Sequence, residues 1–234
     1  MKTLRRADER GGGDHGWLKT RHTFSFADYH DPAHMGFANL RVINEDVVAP
    51  GQGFGFHPHR DMEIVTYPLA GSLKHRDSLG NEGVLRRGDV QRMSAGTGIV
   101  HSETNASDRE PLHLLQIWIL PTHRGTPPSY EDRTFDPAAR RNVWKPLVSR
   151  GGGDGALTIG ADVRLDAVLL DAGASVATPL NRTRPYWLHV AAGSVTVDGD
   201  PLSAGDAVGI RDLDGLSIVA AAEADLLLFA LRDP

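Results

Sequence analysis

Hydrophobic positions along this chain fall in short runs rich in Val, Ile, Leu and Phe, most of them closed by glycine, proline, Asn or Asp. Runs of that length between turn residues read as β-strands, and their regular recurrence is that of an all-β sandwich or barrel. Amphipathic runs long enough for a helix are scarce. In the first half the pattern predicts strands over Leu40–Val48, Phe56–Leu69, Ser72–Arg76, Val90–Met93, Ile99–Glu103 and Leu112–Leu120. Turn signals such as Ala49-Pro50-Gly51, Leu79-Gly80-Asn81 and Arg87-Gly88-Asp89 separate them. From His123 to Gly155 the periodicity fades into Gly125-Thr126-Pro127-Pro128, a charged stretch and a glycine cluster, which reads as a linker with one short helix around Pro137–Arg141. Strands resume over Val163–Leu170, Trp187–Ala191, Ser194–Val197, Ala207–Ile210, Leu216–Ala221 and Asp225–Leu231. Gly88-Asp89-Val90 and Gly205-Asp206-Ala207-Val208 each follow a hairpin and open an apolar strand, which points to an internal duplication. The expected organisation is a β-barrel domain over residues 1–125, a linker over 126–155 and a second β-barrel over 156–234.

With 234 residues the chain is long enough for two small domains. Its 40% apolar and 24% charged residues exclude the disordered regime, so each half can bury a core. A formal net charge of −5 gives no attraction for a phosphate backbone, so no direct nucleic-acid contact is expected. The absence of cysteine excludes disulfides, thiolate metal sites and a cysteine nucleophile, leaving histidine and carboxylate as ligands for any metal. The arginine pair Arg5-Arg6 is followed by no apolar run, and no long apolar segment comes later. The expectation is a cytoplasmic protein without a membrane segment.

The chemistry concentrates in two short motifs. His57-Pro58-His59 places imidazoles at i and i+2, which in an extended strand share one face. His101-Ser102-Glu103 repeats that geometry with an imidazole and a carboxylate. If the two strands oppose each other, three nitrogens and an oxygen converge, a donor set that suits Fe, Mn, Ni, Cu or Zn without strong selection among them. His57-Pro58-His59-Arg60-Asp61 also resembles the first motif of metallo-β-lactamase hydrolases, but Met62 stands where that motif wants another histidine and no alternating βα pattern surrounds it. His75, His113 and His123 have no partner at ligand spacing, and His15, His22, His30 and His34 lie in a loop-rich leader where solvation or turn bonds are expected. Met93, Gln116 and Trp118 are candidates for an apolar slot beside the ligands or for plain core, and Phe54 and Phe56 read as core or loop anchors.

Gly51, His57, His59, Glu63 and Gly71 follow the first cupin motif with one extra residue, and Gly88, Gly96, His101 and Asn105 follow the second, with Ser94 in place of its proline and two extra residues before His101. These departures fit one branch. The segments His22-Thr23-Phe24-Ser25-Phe26-Ala27, Phe54 to Glu63, His75 to Asn81 and Gly96 to Glu103 resemble those of pirins, over about residues 15–125. The resemblance implies an all-β bicupin, two jelly-roll-like β-barrel cupin domains with metal in the N-terminal one alone. It places the metal ligands on His57, His59, His101 and Glu103 and leaves Glu63 beside the metal rather than on it. The second half agrees, since its sole histidine after Gly155 is His189 and the place of a histidine pair reads Thr178-Pro179-Leu180-Asn181-Arg182. Bacterial pirin-like proteins resemble quercetin 2,3-dioxygenases, which open the central ring of a flavonol with O2 and release carbon monoxide. The implied cofactor is one divalent transition metal, iron first, with Mn, Ni, Co, Cu and Zn accommodated. The implied partners are a flavonol-like small molecule and O2. Beyond the resemblance, a carboxylate at the metal edge is placed to take the substrate's proton, so Glu103 is expected to be both ligand and general base. Two barrels in one chain lead to the expectation of a monomer. The alternative is a metal-dependent redox sensor or regulatory module with a protein partner, as eukaryotic pirins are regarded.

Overall fold

The computed structural model describes residues 1–233. It builds two barrels, each from a seven-stranded sheet and a four-stranded sheet. In the first barrel the long sheet runs Ser129–Thr134, Asp89–Ser94, Glu63–Ala70, Leu112–Ile119, Leu40–Val48, Leu18–His22 and Gly11–Asp14, and the short one runs Gly53–His59, Ile99–Asn105, Ser72–Asp77 and Glu82–Arg86. In the second, the long sheet runs Lys2–Arg5, Ala207–Ile210, Tyr186–Ala192, Ala224–Ala230, Arg164–Leu170, Lys145–Ser149 and Leu157–Thr158, opposite Ser175–Pro179, Gly215–Ala220, Ser194–Val197 and Asp200–Ser203.

The near-continuous apolar runs follow from burial on both faces. Along Leu112–Ile119, Leu112 and Leu114 point into the first barrel, while Leu115, Ile117 and Ile119 point outward. Those outward residues join Val65 and Tyr67 in one cluster with Leu165, Ala167, Trp187, Leu227 and Phe229 of the second barrel, so the two long sheets share a core. Inside the second barrel the inward positions Val168, Leu170, Leu188, Val190, Leu226 and Leu228 close an apolar core. The first barrel is different. Its interior has apolar clusters at two levels, Leu18, Val48, Leu73, Leu85, Leu112 and Leu114 in one and Ile64, Met93, Ala95 and Ile99 in the other.

Polar groups also cross the shared core. Asp225, buried, accepts hydrogen bonds from Arg140 at 2.8 and 3.3 Å and from the Tyr67 hydroxyl at 3.0 and 2.9 Å. Arg140 lies 5.7 Å from the Tyr67 ring centroid, so one guanidinium meets both the carboxylate and an aromatic face.

The single strand expected over Phe56–Leu69 is two strands in different sheets, Gly53–His59 and Glu63–Ala70. The break falls at Asp61, whose φ is +48°, whose N–H donates to Gly96 O and whose carboxylate accepts the Gly125 N–H at 2.7 Å. The segment expected as a linker carries Ser129–Thr134, paired with Asp89–Ser94, and Lys145–Ser149, paired with Arg164–Leu170. Between them a 3-10 turn spans Pro137–Arg140, capped by the Asp136 side chain accepting from Ala138 N. Lys2–Arg5 pairs with Ala207–Ile210, so the start of the chain belongs to the second barrel's sheet. Among the described residues no helix is long and apolar enough to cross a membrane.

Candidate active site

Strands Gly53–His59 and Ile99–Asn105 are antiparallel neighbours, with His57 directly opposite His101 and His59 opposite Ile99. Alternation along Gly53–His59 sends His57 and His59 to one face, where they meet His101. Ring centroids lie 4.4 Å apart for His57 and His101, 4.9 Å for His59 and His101, and 4.8 Å for His57 and His59. One ligand nitrogen from each of the three lies within 4.8 Å of the others. Between His101 and Glu103 the pairing with Gly53–His59 slips by a β-bulge, and both side chains are buried.

Glu103 belongs to a second such group, with His101 and His75. His75 is opposite Glu103 on the neighbouring strand Ser72–Asp77, and Asp77 is opposite His101. His75 Nε2 is 3.2 Å from the Asp77 carboxylate, and its ring stacks on Tyr130 at 4.7 Å. The expectation that His75 lacks a partner at ligand spacing is therefore corrected. Its partners lie across strands rather than along its own, where sequence spacing carries no trace of them.

Opposite the histidines, one register row of polar side chains crosses the floor of the barrel. His22 faces Asn44, Asn44 faces Gln116, Gln116 faces Thr66, and Thr66 faces Gln91. The inner part of this row holds Glu103. Gln91 Nε2 donates to Oε1 at 2.9 Å, the Thr66 hydroxyl lies 3.1 Å from the same oxygen, and Gln116 Nε2 donates to Oε2. Charge-assisted bonds of this kind fix a carboxylate's orientation more firmly than neutral ones. Glu63 has the opposite parity to Ile64 and Thr66. Its Oε2 accepts from the Ser94 hydroxyl at 2.6 Å and its carboxylate lies against Gly160, away from the histidines.

A cavity of about 360 Å³ lies between the histidine cluster and this floor. Its aromatic wall is a chain of edge-on contacts, His59 to Trp118 at 4.9 Å, Trp118 to Phe26 at 5.3 Å and Phe26 to His22 at 5.2 Å. Gln116, Trp118 and Phe54 line it, whereas Met93 is packed in core with Ile64 and Ile99, and Phe56 is 65% exposed rather than a core anchor. His22, expected in a solvated leader, is a buried strand residue on the cavity wall. Asp46, also on the wall, takes a hydrogen bond from the Thr20 hydroxyl. Burial, with Glu103's charge adding to it against that bond, pushes its carboxyl up to about 6.

The cluster fits a metal ion. Both ring nitrogens of His101 are buried without a hydrogen-bond partner, a costly arrangement unless something else engages them. Burial, reinforced by neighbouring imidazoles, pushes His59 down to about 4 and His101 to about 3, so both offer neutral lone pairs at pH 7 as ligation requires. With no thiolate present, imidazoles and a carboxylate suit a first-row divalent ion. In the second barrel His189 is buried with opposite parity to the inward Leu188 and Val190, so no imidazole points into that interior.

Two barrels of this build, one opened around inward histidines and the other closed by aliphatic packing, define a bicupin. The chain belongs to the pirin family: the Pirin model matches residues 3–119, and that of the quercetinase C-terminal cupin domain matches residues 146–231. It is 46% identical over 231 residues to the quercetin 2,3-dioxygenase of Escherichia coli K12, covering 99% of each chain. The solved structure of YhhW from E. coli matches with a TM-score of 0.95 at 46% identity, covering 100% of this chain and 99% of that one. The bacterial pirin YhhW in complex with nickel(II), also from E. coli, matches with a TM-score of 0.94 at 45% identity over 100% of both chains.

Proposed function

We propose that the chain is a metal-dependent dioxygenase that opens the central ring of a flavonol such as quercetin with O2 and releases carbon monoxide. His57, His59, His101 and Glu103 hold one divalent metal in this reading. The observation that carries it is the meeting of three inward imidazoles, within 4.8 Å of one another, at the wall of an aromatic-sided cavity that Glu103 also lines. The whole-length identity of 46% to a quercetin 2,3-dioxygenase supports the same conclusion.

When bound, the metal supplies positive charge that favours ionisation of the substrate's 3-hydroxyl. Glu103 takes that proton, and the amides of Gln91 and Gln116 hold its carboxylate facing the cavity. Trp118 and Phe26 give a flat substrate an apolar face to lie against and keep water off the reacting ring. The second barrel, filled with aliphatic side chains, supports the first through the shared core and needs no metal. Because one chain supplies both barrels, we assign a monomer, working in the cytoplasm without nucleic-acid contact.

The test is oxygen uptake and carbon monoxide release with quercetin, on protein loaded separately with Fe(II), Mn(II), Ni(II), Co(II), Cu(II) and Zn(II), with His101→Ala and Glu103→Gln alongside. Turnover should require metal and His101, and Glu103→Gln should keep much of the metal while losing turnover. Full turnover by Glu103→Gln removes the base role. Silence in every metal form, with stoichiometric binding confirmed, overturns the dioxygenase reading in favour of a redox-sensing or protein-binding role.

A further inference from the structure

The polar row on the cavity floor has an inner end and an outer end, and the two ends are in different states. Gln116, Thr66 and Gln91 are engaged with Glu103. Beyond Gln116, Asn44 Oδ1 and His22 Nδ1 are buried and have no hydrogen-bond partner, yet both residues line the cavity. One register step along the same two strands, Thr20 faces Asp46, and both residues also line the cavity. The one side-chain partner of Asp46 among the described residues is the Thr20 hydroxyl. Buried polar atoms without partners are rare in folded proteins, and two of them on neighbouring residues that line one cavity point to a polar ligand there.

We propose that His22, Asn44 and Asp46 form a recognition subsite for phenolic hydroxyls on the substrate ring remote from the reacting oxygen. The subsite rests on the flavonol reading above and extends it to specificity. Asn44 stands one strand spacing and His22 two spacings beyond Gln116, a reach of ~10 Å across the sheet. That is the scale of one aromatic ring beyond the ring that reacts. The edge-on wall from His59 through Trp118 and Phe26 to His22 runs the same way, so a flat molecule lying against it has one end at the histidine cluster and the other at the subsite. The chemistry also matches. Phenolic hydroxyls both donate and accept; Asn44 offers an amide of both kinds, neutral His22 one donor and one acceptor, and Asp46 an acceptor.

Two compounds separate the possibilities: quercetin, which carries remote hydroxyls, and 3-hydroxyflavone, which has the same skeleton without them. Equilibrium binding by fluorescence quenching and, on metal-loaded protein, kcat/KM are measured for both on the native chain, Asn44→Leu and His22→Phe. The native chain should favour quercetin by roughly tenfold or more, since the bare compound leaves buried polar groups unpaired. Each variant should bring the ratio to within about twofold, chiefly by weakening quercetin. His22→Phe keeps the aromatic wall, so the proposal stays testable if Asn44→Leu does not fold. A ratio near one in the native chain, or one that both variants preserve, overturns the subsite and leaves these atoms to ordered water. Binding preference without turnover in any metal form overturns the dioxygenase reading while upholding the subsite.

Discussion

Arg140→Ala should destabilise the whole molecule although it touches neither the cavity nor the histidine cluster. Arg140 and Asp225 are each about 2% exposed, and the guanidinium makes two of the hydrogen bonds that Asp225 receives. Its removal leaves a buried carboxylate with Tyr67 as the remaining side-chain donor. Breaking one side of a buried ion pair costs about 3–5 kcal/mol, because the other charge stays desolvated. In a chain of this size that lowers Tm by about 6–20 °C. Tyr67→Phe, which removes one hydrogen bond to a charged acceptor, should cost less, about 1.5–3 kcal/mol. The informative variant combines Tyr67→Phe, Arg140→Met and Asp225→Leu. Replacing the whole group with apolar side chains removes the desolvation penalty along with the pair, so this variant should be more stable than Arg140→Ala alone. Urea unfolding followed by tryptophan fluorescence, with thermal unfolding as a check, measures all three. A loss below about 1 kcal/mol in Arg140→Ala, or a triple variant weaker than the single one, refutes the assignment of this group as a desolvated ionic tie.

Three further outcomes follow from the first barrel. Asp46, raised to about 6 by burial, holds its proton more tightly folded than unfolded, where about 3.9 is usual, so the stability it contributes is full below about pH 4 and lost as pH rises through 6, by about 3 kcal/mol. Asp46→Asn should flatten that slope in urea titrations across this window, and an unchanged slope contradicts it. Gly53 has φ +156°, and a Cβ there would lie 2.4 Å from Thr104 Cα and 2.5 Å from Glu103 O, so Gly53→Ala should part the two ligand strands, costing about 1–3 kcal/mol and weakening metal binding in a competition titration. Gln116→Leu removes a donor from Glu103 and should lower metal affinity by roughly 10–100-fold, with equal affinity counting against Glu103 as a ligand held by that amide.

What the sequence revealed of this site, and what it concealed, follow from which regularities run along the chain and which run across it. The pair His57 and His59 was legible because strand periodicity alone puts i and i+2 on one face. Leu112–Leu120 was legible because a strand buried on both sides is apolar at nearly every position. Leu18–His22 was not, although its burial alternates strictly, because its inward positions after Leu18 are Thr20 and His22, which carry no hydrophobic signal. The contrast of uncharged Thr20 and His22 with charged Lys19 and Arg21 was the available clue. The floor row from His22 to Gln91 joins residues of five strands by register, and His75 meets Glu103 in the same way. Register is set by turns and bulges, such as the slip between His101 and Glu103, which single-residue patterns do not encode. The break at Asp61 is a tertiary effect of the same kind, since the groups that hold it, Gly96 O and Gly125 N–H, are remote in sequence.

The pairing of Lys2–Arg5 with Ala207–Ile210 has a consequence for how the protein is made. Lys2–Arg5 leaves the ribosome well before its partner, which lies roughly 200 residues downstream, ~10–40 s at usual rates of elongation. During that delay Arg5, later buried against Thr23 O and the Tyr29 hydroxyl, can be drawn early into the nascent first barrel, while the backbone groups beside it stay unpaired. Lys2–Arg5 is thus made early and secured late, and the emergence of Ala207–Ile210, rather than completion of the first barrel, sets the moment at which that clasp closes.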